Sequence, residues 1–392
     1  MVESFQHGYL NHYFSKQVSV DSVNFINSIY SLAFPMVIIV TPLLFLKSGF
    51  RLYIMIMLLI LSCINIAHAQ NNPVELGDVH WLRDISKAQE QSKVSGKPIF
   101  VLFQEIPGCV TCQKYGAEVM SHPLIVDAIE NEFIPLAIYN NKKGDDARVL
   151  SYFNEPSWNN PVARVVNANL TDVLPRLDGG YTPAVITNYL IKAMDLTNKK
   201  IPAYLDLLIK SFSESTQSVT FGMQCFWEGE SKLGALPGVI KTNPGFMDGH
   251  EVVEVEFDPR YISPEKLIFE AGKQECSNQI YAYQKHLLQY QRINSKTKER
   301  KRFISDKDPQ YYLKHSAFKF VPMLPIQASK INSAVAVGQS PVVYLSPRQI
   351  EIYSYFNLNA GGHVNAYTSL DFFKVFNEAI KKIKTGKGME KS

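Results

Sequence analysis

The sequence predicts an α/β protein that turns α+β in its second half, and three observations carry that expectation. Short apolar runs of strand length alternate with amphipathic helical segments through the first half. Residues 252–257 alternate apolar and charged side chains, as a half-buried strand does. Two cysteine-bearing segments, one at 109 and 112 and one at 225, each follow a strand-like run and precede a helix-like one. With 392 residues, 46% of them hydrophobic, the chain has enough apolar side chain for two cores. The same composition excludes a disordered polyelectrolyte, and five cysteines are too few for a disulfide scaffold. A scattered net charge of +4 gives no reason to expect a nucleic-acid partner.

Residues 1–69 read as an N-terminal extension carrying a signal peptide or a membrane segment. The apolar runs at 34–46 and 52–61 both fall short of the roughly 18–20 residues that span a bilayer. Lys47 and Arg51 precede the second run, and the small residues Ala67 and Ala69 stand just before Gln70, which is the layout of a cleaved leader. A secreted or periplasmic protein is therefore expected, with a membrane-anchored form facing the periplasm as the alternative. Both place the remainder where disulfides persist.

Residues 73–213 are expected to form a first domain. Residues 81–95 have a polar helical period, 98–104 form a continuous buried strand, and 114–133 read as a helix interrupted at Pro123. Residues 134–139 and 162–167 are further strands, and 201–212 an amphipathic helix. Directly after the first strand comes Ile106-Pro107-Gly108-Cys109-Val110-Thr111-Cys112. A Cys-x-x-Cys pair opening a helix sets its first sulfur against unpaired N–H groups and the positive end of the helix dipole, both of which favour thiolate. Cys109 is the candidate attacking sulfur and Cys112, one turn on, the candidate resolving one. The other reading of the pair, half of a structural zinc site, needs a second ligand pair that Cys225 and Cys276 do not form. No metal is expected, and no cofactor beyond thiol and disulfide electrons.

About residues 76–213 resemble the thioredoxin-like superfamily, in the branch whose active helix begins Val-Pro-Gly-Cys or Val-Pro-Gly-selenocysteine. The resemblance implies a cis-proline opposite the dithiol and just before a strand. Thr182-Pro183-Ala184-Val185-Ile186 occupies that place, with Pro183 the candidate.

A polar linker at 213–218 leads into a second domain, residues 218–383. Cys225-Phe226-Trp227, Glu230, Pro237-Gly238-Val239, Gly245, Gly249, His250, Glu251-Val252-Val253 and Asp258-Pro259 follow one another in an order that resembles A-type peptide methionine sulfoxide reductase. The resemblance implies that Cys225 attacks the sulfoxide sulfur, that Phe226 and Trp227 cradle the substrate methyl group, and that Glu251 protonates the sulfoxide oxygen. It also puts Phe246 in the substrate pocket, where the family has a tyrosine. The chemistry is consistent, since the oxygen leaves poorly until protonated and the sulfur attacks as thiolate. One turnover leaves Cys225 as a sulfenic acid that a second thiol must resolve. Cys276 is the candidate resolving thiol, with a buried inert cysteine as the other reading.

Several positions depart from the family pattern. Gln224 and Glu228 replace glycines, the loop before His250 is cut short, the later Asp and Tyr of the family's pocket have only a loose echo in Asp306, Asp308, Gln310 and Tyr311, and Gln310-Tyr311-Tyr312-Leu313 has no assigned place. Residues 384–392 form a basic tail expected to fray. The expected function is reduction of methionine sulfoxide, S epimer, free or in proteins. The fused dithiol donates the electrons and an upstream thiol reductant refills it. The alternative is a thiol-disulfide oxidoreductase acting on exported proteins, with a non-catalytic second domain.

Overall fold

The computed structural model describes residues 72–358 and 371–385. The expected leader at 1–69 lies outside the described residues, as does most of the expected tail, although Lys384 still belongs to the last helix. Among the described residues no helix is long and apolar enough to cross a membrane.

The first helix, α1 (Ile85–Ser95), starts later than its polar period suggested. The Asp84 carboxylate accepts the N–H groups of Ser86 and Lys87 and so fixes the start, while Leu82 pairs with Leu136 at a sheet edge. Strand β1 (Ile99–Gln104) is followed by α2 (Val110–Lys114), α3 (Pro123–Glu132), β2 (Ile134–Tyr139), α4 (Asp145–Tyr152), β3 (Val162–Val166) and β4 (Leu177–Asp178). The sheet order is β2-β1-β3-β4, with β1 parallel to β2 and antiparallel to β3. β1 is apolar at five successive positions because both faces of the sheet are covered. Phe100 and Leu102 enter one core, and Ile99, Val101 and Phe103 the other.

Pro183, the expected cis-proline, is not one. Among the described residues the cis X-Pro bonds are Ile106–Pro107 and Asn160–Pro161, the latter directly before β3. Pro183 opens helix α5 (Pro183–Leu196), where Thr182 is the N-cap and its hydroxyl accepts the Val185 N–H. Proline suits a first helical turn, and Ile186, Tyr189, Leu190, Ala193 and Met194 fall at helical spacing on a buried face. The segment expected to enter a strand is therefore a helix start.

Helix α6 (Ala203–Ser211) precedes β5 (Gln217–Gly222), and the polar link between them is tied down. Arg260 donates to the Ser213 hydroxyl, and the Thr216 hydroxyl donates to Glu256. The second half continues with α7 (Phe226–Gly234), β6 (Val239–Met247), β7 (His250–Phe257), α8 (Pro264–Lys273), β8 (Gln279–Ala282), α9 (Leu287–Ile293), β9 (Lys298–Glu299) and β10 (Ile304–Ser305). Its six-stranded sheet has the order β10-β6-β7-β5-β8-β9. The alternation read in β7 holds, with Val253, Val255 and Phe257 in the core and Glu254 and Glu256 half-buried. Asp248 and Gly249, both at positive φ, join β6 to β7 by a two-residue turn. That turn replaces the loop whose shortening was evident in the sequence.

Helices α10 (Tyr311–Lys314), α11 (Pro325–Ala336), α12 (Pro347–Leu358) and α13 (Phe372–Thr385) complete the described chain. They join the two sheets. Leu207 of α6, Ile240 of β6 and Ile326 of α11 share one apolar cluster. Arg348 of α12 pairs with the buried Asp127 of α3 and donates to the Pro123 carbonyl at 2.6 Å.

His122, at the start of α3, lies 4% exposed among Phe212, Phe372 and Phe373, and among the described residues its Nδ1 has no hydrogen-bond partner. Burial lowers its pKa from 6.5 to about 4. The folded protein therefore binds fewer protons here than the unfolded chain, and the contribution of His122 to stability is lost as pH falls from about 6.5 to about 4. A His122→Leu variant is expected to flatten that acid slope by on the order of 3 kcal/mol across the window, read from urea midpoints against pH. An unchanged slope would refute this.

Candidate functional site

The first thiol pair stands where β1 gives way to α2. Cys109 is the exposed N-cap of α2 and Cys112 is fully buried one turn on, their sulfurs 3.5 Å apart. Gly108 permits this approach, because a Cβ there would lie 2.4 Å from the Glu105 carbonyl oxygen and 2.6 Å from the Cys112 Cβ. The backbone N–H of Cys112, and after it the Cys112 thiol, hold Cys109 below the ordinary thiol range. Burial, reinforced by Cys109, pushes Cys112 up to about 12. One sulfur is thus exposed and disposed to ionise while its neighbour keeps its proton, the division of labour that thiol exchange requires. The Cys112 thiol donates to Asn160 Oδ1 at 2.7 Å, so the residue before cis-Pro161 faces the dithiol. The sequence reading missed Asn160 and Pro161. A search for X-Pro pairs directly before a predicted strand would have found them.

The second thiol lies at the start of α7. Cys225 is its exposed N-cap, and Glu251 Oε2 accepts the Phe226 N–H at 2.8 Å. The tight β6–β7 turn sets this geometry, since its register pairs Phe246 with Glu251. Phe226, Trp227 and Phe246 meet, with Phe226 5.5 Å from Trp227 and 5.3 Å from Phe246, edge to face. Phe246 is 37% exposed, so the cup opens to solvent.

The unassigned segment after β10 completes this cup. Tyr311 stacks on Trp227 at 4.2 Å, and Asp306 Oδ2 accepts the indole N–H at 3.3 Å. Burial raises the pKa of the Tyr312 phenol, and the neighbouring Cys225 and Glu228 add to the rise. Glu230, fully buried on α7, positions the segment. Its carboxylate accepts the Gln310 N–H at 2.8 Å and the Gln310 side-chain amide at 2.9 Å. Burial pushes Glu230 up to about 8. At the other end of α7, the Lys330 ammonium donates to the Gly234 and Leu236 carbonyls at 2.7 and 2.6 Å. Burial lowers Lys330 to about 7.

Cys276 shares a cleft of about 480 Å³ with Cys225, Glu228, Lys232 and Glu275. The backbone explains why. Gly222 pairs with Gln279 on the last rung between β5 and β8, and its carbonyl also accepts the Asn278 N–H. Cys225 lies three residues past that rung and Cys276 three residues before it. Cys276 is buried, and its thiol and the Lys232 ammonium both donate to the Gln274 carbonyl. Burial raises the Cys276 pKa while Lys232 opposes the rise.

Comparison with known proteins gives two kinds of match. Residues 80–168 match the family described as Thioredoxin-like. Mitochondrial peptide methionine sulfoxide reductase of Mus musculus is 38% identical over a stretch that covers 15% of this chain and 33% of that protein. Peptide methionine sulfoxide reductase MsrA 1 of Nostoc sp. is 32% identical, over 16% of this chain and 50% of that protein. The chain joins a thioredoxin-like region to a region similar to methionine sulfoxide reductase A. It spans a third to a half of the length of these relatives. Among solved structures, the DsbH oxidoreductase aligns with 34% of this chain and 94% of its own at 15% identity and a TM-score of 0.26. Methionine sulfoxide reductase A of Corynebacterium diphtheriae aligns with 44% of this chain and 88% of its own at 16% identity and a TM-score of 0.20.

Proposed function

We propose that the protein reduces methionine sulfoxide, of the S epimer, free or within proteins, with Cys225 as nucleophile and the Cys109–Cys112 dithiol as electron donor. The observation that carries this reading is the Glu251 carboxylate on the Phe226 N–H, beside Cys225 and under the cup of Phe226, Trp227 and Phe246. An apolar cup suits a thioether methyl group, and a carboxyl beside the thiol can pass a proton to the oxygen. The Cys225 thiolate takes the sulfoxide oxygen as Glu251 supplies the proton, leaving a thioether and a Cys225 sulfenic acid. Cys276 then displaces that oxygen as water and forms a Cys225–Cys276 disulfide. Cys109 attacks this disulfide, Cys112 closes on Cys109, and both acceptor thiols are regenerated. An upstream thiol reductant refills the dithiol. Export through the leader would put this chemistry outside the cytoplasm.

A second reading, disulfide reduction on exported proteins, is favoured by the lowered Cys109 and the absence of a hydroxyl on Phe246. The test follows reduction of S- and R-methionine sulfoxide peptides by the full chain, with insulin disulfide reduction alongside. Turnover of the S epimer that Cys225→Ser abolishes supports the first reading. Turnover that persists in Cys225→Ser, or insulin reduction without any sulfoxide turnover, overturns it.

A further inference from the structure

The Glu105 carboxylate points at the dithiol. One of its oxygens and the sulfurs of Cys109 and Cys112 all lie within 4.8 Å of one another. Glu105 is half-buried, and among the described residues no hydrogen-bond donor or cation is recorded on its carboxylate. A cation held between the three groups would give the carboxyl a partner and bond both sulfurs.

We propose that Glu105, Cys109 and Cys112 form a binding site for a thiophilic divalent cation of the Zn²⁺ type, occupied only when the dithiol is reduced. Zinc bonds sulfur at about 2.3 Å, so two sulfurs on one tetrahedral zinc lie about 3.8 Å apart. The observed 3.5 Å needs little adjustment. A carboxylate oxygen within reach of both sulfurs supplies a third ligand, and a water or Asn160 Oδ1, already 2.7 Å from the Cys112 sulfur, can supply the fourth. Two thiolates select against Mg²⁺ and Ca²⁺, which take oxygen ligands in larger number. A cluster of two sulfurs and one carboxylate with an open position fits a zinc-like ion best.

The metal and the disulfide exclude each other. A disulfide draws the sulfurs to about 2 Å and leaves neither as a thiolate ligand. Zinc therefore holds the pair reduced and silent toward exchange, and a chelator releases it. The binding itself does not depend on the reductase reading.

The test is calorimetric titration of the full chain with ZnCl₂ under anaerobic, reduced conditions. Saturable binding of one ion is expected, lost after diamide oxidation and unaffected by Cys225→Ser, which removes a thiol from the other cleft. Glu105→Gln keeps the side chain's size and is expected to weaken binding by about tenfold to 100-fold. Co²⁺ in the parent protein is expected to give thiolate-to-cobalt absorption together with tetrahedral ligand-field bands, a readout that needs no variant. Absence of saturable binding, binding that survives oxidation, or equal affinity in Glu105→Gln would each overturn the proposal. Because no step of the titration uses sulfoxide turnover, a protein inactive as a reductase can still bind zinc, and the two outcomes are separate.

Discussion

Glu251→Gln is expected to lower sulfoxide turnover by about 10²- to 10⁴-fold while leaving the fold intact. The amide keeps an oxygen that can accept the Phe226 N–H, so the start of α7 stays capped and Cys225 stays in place. What is lost is the proton the departing oxygen needs. The measurement is single-turnover thioether formation beside the thermal midpoint. Slowed chemistry at an unchanged midpoint supports the assignment, and parent-like chemistry would remove Glu251 from it. Glu251→Ala is the useful contrast, because it removes the cap as well. It is expected to cost about 1 kcal/mol of stability in addition to the proton.

Glu230→Ala is expected to destabilise the protein by about 3 kcal/mol and to open the aromatic cup. The Gln310 backbone and side-chain N–H groups would lose their acceptor in a buried place, and each such orphan costs about 1–3 kcal/mol. Gln310 directly precedes Tyr311, so the stack on Trp227 should loosen, and Trp fluorescence reports that. The pH signature is specific. Burial raises Glu230 from 4.5 to about 8, so the folded state holds a proton that the unfolded chain has released. The contribution of Glu230 to stability is therefore greatest below about pH 4.5 and falls as pH rises to about 8. The stability difference between parent and variant should shrink over that window, and a difference that stays constant refutes the account.

Some of the site was legible because it is written locally. A strand buried on both faces, followed within a few residues by a Cys-x-x-Cys pair, defines β1 and the start of α2 without long-range information. Phe246 and Glu251 were named from the family resemblance alone, and the two-residue turn that sets them opposite each other is a finding of the structure. The partners that complete each centre were missed, as Asn160 was, or read only as a loose echo, as Asp306 and Gln310 were, because they arrive from far along the chain. Asn160 is 48 residues from Cys112, Asp306 is 79 from Trp227, and Gln310 is 80 from Glu230. β6 escaped detection since Lys241, Thr242, Asn243 and Pro244 break its apolar pattern. Pro183 misled for a physical reason, as Thr-Pro serves a helix start as readily as a turn before a strand.

The joint between the two halves alters what fusion achieves. Ser213 and Thr216 are held by Arg260 and Glu256, and Leu207, Ile240 and Ile326 share a core, so no slack tether separates the dithiol from the Cys225 cleft. A flexible linker offers a graded advantage set by its length; a rigid joint offers an all-or-none one. The signature is the kinetic order in protein. Turnover per molecule stays constant on dilution if the electron hop is internal, and falls in proportion if each molecule must borrow the dithiol of another.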